Sequence, residues 1–264
     1  MTYQTLEIEA HDGVGVATVW MNRADAHNAF NETLIDELTR AFEALGHDPV
    51  VRVVVLAGRG KSFSAGADLE WMKRAAGYSQ EENRRDARKL AKMYATIHRL
   101  SKPTIARVHG AALGGGVGLT AVCDIAVASS RASFATTEVK LGLIPSVISP
   151  YVITAIGRRQ AHRYFLTGER FDAEEAQRIG LVHLVCELDE LNGKVAGIAE
   201  TLISSSPMAQ AAAKELIFHV ADRPIGDALI EDTAQRIAKA RATTDAREGI
   251  AAFLEKRKAH WPGC

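Results

Sequence analysis

Residues 51–56, Val51-Arg52-Val53-Val54-Val55-Leu56, form a β-branched and nearly continuous apolar run. Such a run reads as a strand buried on both faces, the situation of a strand inside a covered, parallel-type sheet. Upstream, Asn31 stands as an N-cap, and Leu34, Ile35, Leu38, Phe42 and Leu45 recur at helical spacing up to Gly46, which supplies a left-handed stop. Further upstream, residues 6–9 and 14–21 alternate apolar and polar positions around His11-Asp12-Gly13, the pattern of a hairpin with an Asp-Gly turn. Strand, helix and strand in this order predict an α/β fold.

Downstream, Ser79 and Glu82 form a capping box for a helix carrying Leu90, Tyr94 and Ile97 that closes before Lys102-Pro103. Residues 104–108 and 124–128 read as short buried strands flanking a glycine-rich turn and a brief helix over 115–122. From Ser149-Pro150 onward the pattern is wholly helical. One helix is framed by Pro150 and Gly157, and Asp172 with Glu175 caps another that stops at Gly180. Leu191, Val195, Ile198 and Leu202 mark a third, with two or three more before Trp261. No linker of low complexity divides the chain, so the expectation is a core over 1–200 with a helical C-terminal region over 201–264.

The chain has 264 residues, 47% of them hydrophobic and 24% charged, which places it among ordinary globular proteins rather than disordered or membrane-spanning ones. Thirty-two Lys and Arg balance 32 Asp and Glu, leaving no global field to attract nucleic acid or an anionic membrane. Arg84-Arg85, Arg88-Lys89 and Lys92 make the best basic stripe, and Glu81, Glu82 and Asp86 dilute it. Three cysteines without a CxxC pair, and an N-terminus lacking a basic and apolar leader, point to a reducing, cytoplasmic setting. Cys123 lies in an apolar context and reads as a core thiol.

Several motifs fail on spacing. Gly60-Lys61-Ser62 lacks the first glycine of a phosphate loop, because position 55 is Val55. Gly114-Gly115-Gly116 does not complete a dinucleotide fingerprint, because position 119 is Leu119. No metal-ligand spacing joins the histidines and cysteines, so no metal and no separate cofactor are expected. Two other turns carry more information. In Lys61-Ser62-Phe63-Ser64-Ala65-Gly66-Ala67-Asp68-Leu69 small residues let backbone N–H groups approach a ligand, with Asp68 placed to cap the next segment. In His109-Gly110-Ala111-Ala112-Leu113-Gly114-Gly115-Gly116-Val117-Gly118 the glycines open a helix whose free N–H groups favour developing negative charge. Singly each reads equally as a tight turn; together they could form an oxyanion hole.

In order and spacing these motifs resemble the crotonase (enoyl-CoA hydratase/isomerase) superfamily. The likeness extends through Met21-Asn22-Arg23, His27-Asn28-Ala29, Lys102-Pro103-Thr104, Cys123-Asp124, Thr137-Glu138, Leu141-Gly142-Leu143-Ile144-Pro145, Leu166-Thr167-Gly168 and the terminal Phe253-Leu254-Glu255-Lys256-Arg257. The resemblance implies a spiral of ββα turns, a helical C-terminal region used for trimerisation, and a homo-trimer or a hexamer made of two trimers. It implies that Ala65 and Gly115 are the two oxyanion-hole residues, acting on an acyl-CoA thioester through their N–H groups. It also implies that Ala26, Ala67, Asp68 and Leu69 cradle the coenzyme A part of the substrate, with Leu113, Gly114 and Pro145 lining the same site. Glu138 matches one of the family's two catalytic glutamates, whose pKa a partly apolar pocket would raise toward neutrality.

The second glutamate falls at Gly118, where this chain departs from the pattern. Either Glu138 works alone, or another group, with Glu70 and Asp124 as candidates, replaces the missing acid. The segment from Glu138 to Val152, with Gly118 and Asp68-Leu69-Glu70-Trp71-Met72, resembles the bacterial methylglutaconyl-CoA and isohexenylglutaconyl-CoA hydratases. That likeness implies hydration of a branched or glutaconyl-type substrate such as 3-methylglutaconyl-CoA, its distal carboxylate met by Lys73, Arg74 or Lys140. The alternatives are a Δ3-Δ2 enoyl-CoA isomerase, which needs one base, and a catalytically silent binding module on the same fold.

Overall fold

The computed structural model describes residues 2–11 and 15–261; the Asp12-Gly13 turn and Cys264 lie outside them. In chain order the strands and helices are β1 (Leu6–His11), β2 (Val16–Met21), α1 (Glu32–His47), β3 (Val53–Gly58), β4 (Ser62–Ser64), α2 (Leu69–Ala75), α3 (Gln80–His98), β5 (Thr104–Val108), β6 (Ala111–Leu113), α4 (Gly115–Val122), β7 (Ile125–Ser129), β8 (Ser133–Ala135), α5 (Ser149–Thr167), β9 (Phe171–Asp172), α6 (Ala173–Arg178), β10 (Leu184–Cys186), α7 (Leu191–Ile203), α8 (Pro207–Val220), α9 (Asp227–Arg241) and α10 (Thr244–Leu254).

Among the described residues one sheet has the order β1-β2-β3-β5-β7-β10 and a smaller one the order β4-β6-β8-β9. β1 pairs with β2 antiparallel, and β2, β3, β5, β7 and β10 then run parallel. Three consecutive turns of chain each lay one strand in the large sheet and the next in the small one before a helix returns. These are β3-β4-α2, β5-β6-α4 and β7-β8-α5, the ββα spiral that the family resemblance implied. Gly110 allows β4 and β6 to approach this closely, because a Cβ there would collide with the Lys61 carbonyl.

Residues of β3 are buried on both faces, as Val51 to Leu56 required. Val54 and Leu56 enter the main core with Phe30, Phe42, Phe63 and Tyr94, while Val53 and Val55 join Ile105 and Val127 under Leu191 and Val195 of α7. By contrast α8, α9 and α10 contribute few buried side chains, Leu229, Asp245 and Ala252 among them. Cys123 is buried, and burial pushes its thiol up to about 12. No helix of the described residues is long and apolar enough to cross a membrane.

Three local expectations need correction. Helix α1 continues through Gly46 to His47 and ends at Asp48, in extended backbone, because Lys102 Nζ reaches the Leu45 and Asp48 carbonyls and satisfies the helix end. Gly157 is left-handed (φ 72°) and breaks the helix locally, yet helical backbone resumes after it to Thr167. The C-terminal part is not wholly helical, since Leu184–Cys186 adds a strand parallel to β7. Its three residues are too few to show a period against the flanking helices.

Candidate active site

The loop after β4 is stitched to the segment after β2 by main-chain bonds. His27 and Asn28 adopt left-handed backbone (φ 51° and 53°), an arrangement held by the buried Asn28 side chain. Asn28 Oδ1 accepts from Arg23 N at 2.9 Å, and Nδ2 donates to the Arg59 and Ser62 carbonyls at 2.9 Å each. Phe30 N donates to Gly66 O at 2.7 Å and Asp68 N to Phe30 O at 2.9 Å, forming a parallel bridge between Phe30 and Ala67. In such a bridge the flanking residues face the partner and the central residue turns its own N–H and C=O away. Ala67 is exposed, and its N–H has no hydrogen-bond partner among the described residues.

This geometry corrects one assignment. The N–H of Ala65 donates to the His27 carbonyl at 2.9 Å, so it is spent inside the fold and is not an oxyanion donor. The free N–H in this loop belongs to Ala67, two residues on. In a regular extended run residues 65 and 67 would present their amides to the same side, but Gly66 between them has φ 88°, and this left-handed residue breaks the run so that the two N–H groups part.

The second turn meets the first. Gly114, at φ 49°, donates its N–H to Ala135 O at 2.8 Å, and its carbonyl accepts from Val117 N at 3.0 Å. Gly115 begins α4, so its N–H is one of the orphan donors of a helix start, and it too lacks a partner among the described residues. A Cβ on Gly66 would lie 3.0 Å from Leu113 O, and one on Gly114 would lie 3.2 Å from Glu138 Oε1. Gly66, Gly114 and Glu138 therefore close around one point, with the N–H groups of Ala67 and Gly115 beside it.

Glu138 opens a 3-10 turn, Glu138–Leu141, after the end of β8. Its Oε2 is buried without a hydrogen-bond partner, and burial raises its pKa above the usual carboxylate range, offset in part by a backbone hydrogen bond. A carboxylate so placed is available as a base beside two anion-stabilising donors.

The remaining expected residues divide into two groups. Ala26 closes a 3-10 turn (Ala24–Ala26) next to His27, Leu113 abuts Gly66, and Leu69 is exposed at the start of α2. Pro145 is buried midway along the 138–152 segment that Glu138 begins. Asp68, in contrast, acts within the fold. Its Oδ2 pairs with Arg23 Nη2 at 2.8 Å, and its Oδ1 accepts from Glu70 N at 2.9 Å and Trp71 N at 3.1 Å.

Neither candidate for a second acid is free. Glu70 holds Lys73 at 2.6 Å on the surface of α2. Asp124 accepts from Thr104 N at 2.8 Å and from Lys214 Nζ at 2.7 Å. Of the cations considered for a distal carboxylate, Lys73 is paired with Glu70 and Arg74 holds both oxygens of Glu32. Lys140 is exposed and has no carboxylate partner among the described residues. Reading from sequence missed Tyr94, Phe30 and Ile148, which wall the site; Tyr94 was visible only as one apolar position on a helix. A Cβ at Gly118 would collide with Ile148 Cγ2 and lie 2.9 Å from Tyr94 Cε1.

A model of the enoyl-CoA hydratase/isomerase family matches residues 11–263. The fold is similar to the crystal structure of an enoyl-CoA hydratase from Shewanella pealeana, with a TM-score of 0.94 and 41% identity over 98% of this chain and 96% of that one. The sequence is 36% identical to a crotonyl-CoA hydratase of Syntrophomonas wolfei over 99% of both chains. It is 35% identical to a short-chain-enoyl-CoA hydratase of Clostridium acetobutylicum over 92% of both. With the spiral fold and paired glycine-rich turns that carry it, the chain belongs to the enoyl-CoA hydratase/isomerase, or crotonase, family.

Proposed function

We propose that this protein is an enoyl-CoA hydratase that adds water across the double bond of an α,β-unsaturated acyl-CoA with Glu138 as its single catalytic carboxylate. The observation that carries the reading is the partnerless, buried Glu138 Oε2 beside the unspent N–H groups of Ala67 and Gly115. The thioester oxygen sits between those two donors. Glu138 takes a proton from water as the oxygen bonds to the β-carbon, and the π electrons move onto the thioester oxygen as an enolate. The enolate collapses as Glu138 returns the proton to the α-carbon, so one water is added and the carboxylate is regenerated. Each N–H contributes on the order of 3 kcal/mol at the enolate-like transition state. A raised carboxyl pKa suits both halves, since the group must accept and then release a proton near neutral pH.

The substrate class we infer is branched or glutaconyl-type, 3-methylglutaconyl-CoA being the test compound. Support comes from the likeness of the 138–152 segment and from Lys140, two residues beyond Glu138 and without a carboxylate of its own among the described residues. Coenzyme A enters as part of the substrate. A trimer, or a hexamer made of two, is the assembly we infer, supported by the apolar side chains exposed on the C-terminal helices, Phe253 and Leu254 foremost. Migration of a double bond is the second reading, because one carboxylate suffices to carry one proton between carbons.

The test incubates the protein separately with 3-methylglutaconyl-CoA, crotonyl-CoA and a 3-enoyl-CoA, with chromatography of the thioesters. Hydration of the first that disappears in Glu138→Gln supports the reading. Migration without hydration makes the protein an isomerase, and no turnover of any thioester leaves a silent binding module.

A further inference from the structure

The volume that a side chain at position 118 would occupy is filled. Ile148, 3% exposed, and the ring edge of Tyr94 stand there, so the site is closed to a second carboxylate from that position. Tyr94 is fully buried, edge-on to Phe30 with centroids 6.4 Å apart and tilted against Tyr151 at 6.1 Å. Its hydroxyl donates to the Gly115 carbonyl at 2.8 Å.

The bond falls beside two residues that carry no side chain to hold them. Gly114 and Gly115 have no Cβ, and the first N–H groups of α4 have no helical partner. Glu138 Oε1 stands against Gly114 on one side, and Tyr94 Oη lies 2.9 Å from where a Gly115 Cβ would be on the other. Rotation of this glycine pair would swing the Gly115 N–H off the substrate oxygen. A misplacement of about 1 Å at such a donor costs on the order of a hundredfold in rate.

We propose that Tyr94 is a positioning residue of this site, its hydroxyl holding the Gly115 carbonyl, one peptide unit beyond the donor N–H, and so limiting rotation at Gly115, while its ring, with Ile148, takes the space of the missing second carboxylate. The assignment rests on the hydratase reading given above. Burial, with the Glu138 charge and Tyr151 adding to it, raises the phenol pKa well above its ordinary value, so the group stays neutral and remains a donor. Its proton is committed to a main-chain carbonyl, not aimed at the thioester.

The experiment compares wild type with Tyr94→Phe, which keeps the ring and removes one oxygen. Two readouts are taken, steady-state kinetics across pH and the near-ultraviolet difference spectrum of bound acetoacetyl-CoA, whose enolate form reports polarisation of the thioester oxygen. The expected result is a kcat lowered roughly five- to tenfold, a KM unchanged within about twofold, an acid limb that does not move, and a weakened difference spectrum. Site-specific 3-fluorotyrosine at position 94, which acidifies the phenol without removing it, leaves both the pH profile and the spectrum as in wild type. An unchanged kcat and spectrum in Tyr94→Phe, a rise confined to KM, or a basic limb that shifts with fluorination overturns the assignment, the last by making Tyr94 a proton donor. A wild type that neither turns over any enoyl thioester nor perturbs acetoacetyl-CoA brings down the hydratase reading and this proposal together. A wild-type signal that Tyr94→Phe leaves intact brings down the proposal alone.

Discussion

Arg23 Nη2 lies 2.8 Å from Asp68 Oδ2, with the two side chains 19% and 14% exposed, so the residue that follows Ala67 is tied to the end of β2 by a largely buried ion pair. Arg23 Nη1 also reaches the Ala29 carbonyl, which fastens both sides of the Phe30–Ala67 bridge. Arg23→Met leaves the Asp68 charge uncompensated and is expected to cost about 3 kcal/mol, measured as a lower urea midpoint. Burial alone would raise the Asp68 pKa, but the Arg23 guanidinium and the Trp71 and Glu70 N–H groups hold it below the usual value. A depressed folded-state pKa contributes stability above the unfolded value and loses it as pH falls through the folded one. The gap between wild type and Arg23→Met therefore narrows below about pH 4.

Glu138→Gln separates catalysis from stability. Turnover is expected to fall on the order of a hundred- to ten-thousandfold, the range for a positioned acid–base group. Burial raises the pKa of Glu138, so the native state favours the protonated form and is destabilised once pH rises through that pKa. The variant is accordingly as stable as wild type or more so at pH 7 to about 8, with the difference vanishing in acid, as read by thermal melts across pH. In wild type, kcat/KM falls on the acid side at a pH above that of an ordinary carboxylate.

Replacing single amides by esters distinguishes the two alanines of the β4 loop. An ester that removes the Ala67 N–H is expected to lower kcat about a hundred- to a thousandfold. The same change at Ala65 deletes the bond to His27 and costs about 1 kcal/mol of stability with little change in kcat. Equal kinetic effects at both positions would return Ala65 to the site.

If Lys140 receives a distal carboxylate, Lys140→Ala raises KM for 3-methylglutaconyl-CoA several-fold and leaves crotonyl-CoA unaffected, since a half-solvated charge pair is worth about 1 kcal/mol. Lys73→Ala moves neither, because Lys73 is engaged by Glu70. Parallel losses on both substrates from Lys140→Ala would end the clamp idea.

The run Val51 to Leu56 was legible because a strand covered on both faces must be apolar at every position, and the structure buries all six residues of β3. Gly114 and Gly115 were legible for a related reason, as only glycine fits their backbone and neighbours. The choice between Ala65 and Ala67 was not legible, because both are alanine and the difference lies in which way an amide points. Tyr94 and Ile148 were illegible as site residues, since an apolar position on a helix looks the same whether it faces the core or walls a reaction centre. Position 118 announced that a carboxylate was missing, and only the packing of Ile148 showed that its room was gone as well.

The oxyanion donors proposed at Ala67 and Gly115 are atoms that nearly every amino acid possesses. Scanning the chain with alanine would pass over the first without changing anything, and at the second the damage would come from the collision of the new methyl with Phe30, not from a lost functional group. Half of the proposed reacting centre is thus invisible to the exchange of side chains. Its tolerance to mutation is set by volume and by proline, so drift in this enzyme is expected to leave the electrophilic half chemically constant while the walls around it vary and choose the acyl group.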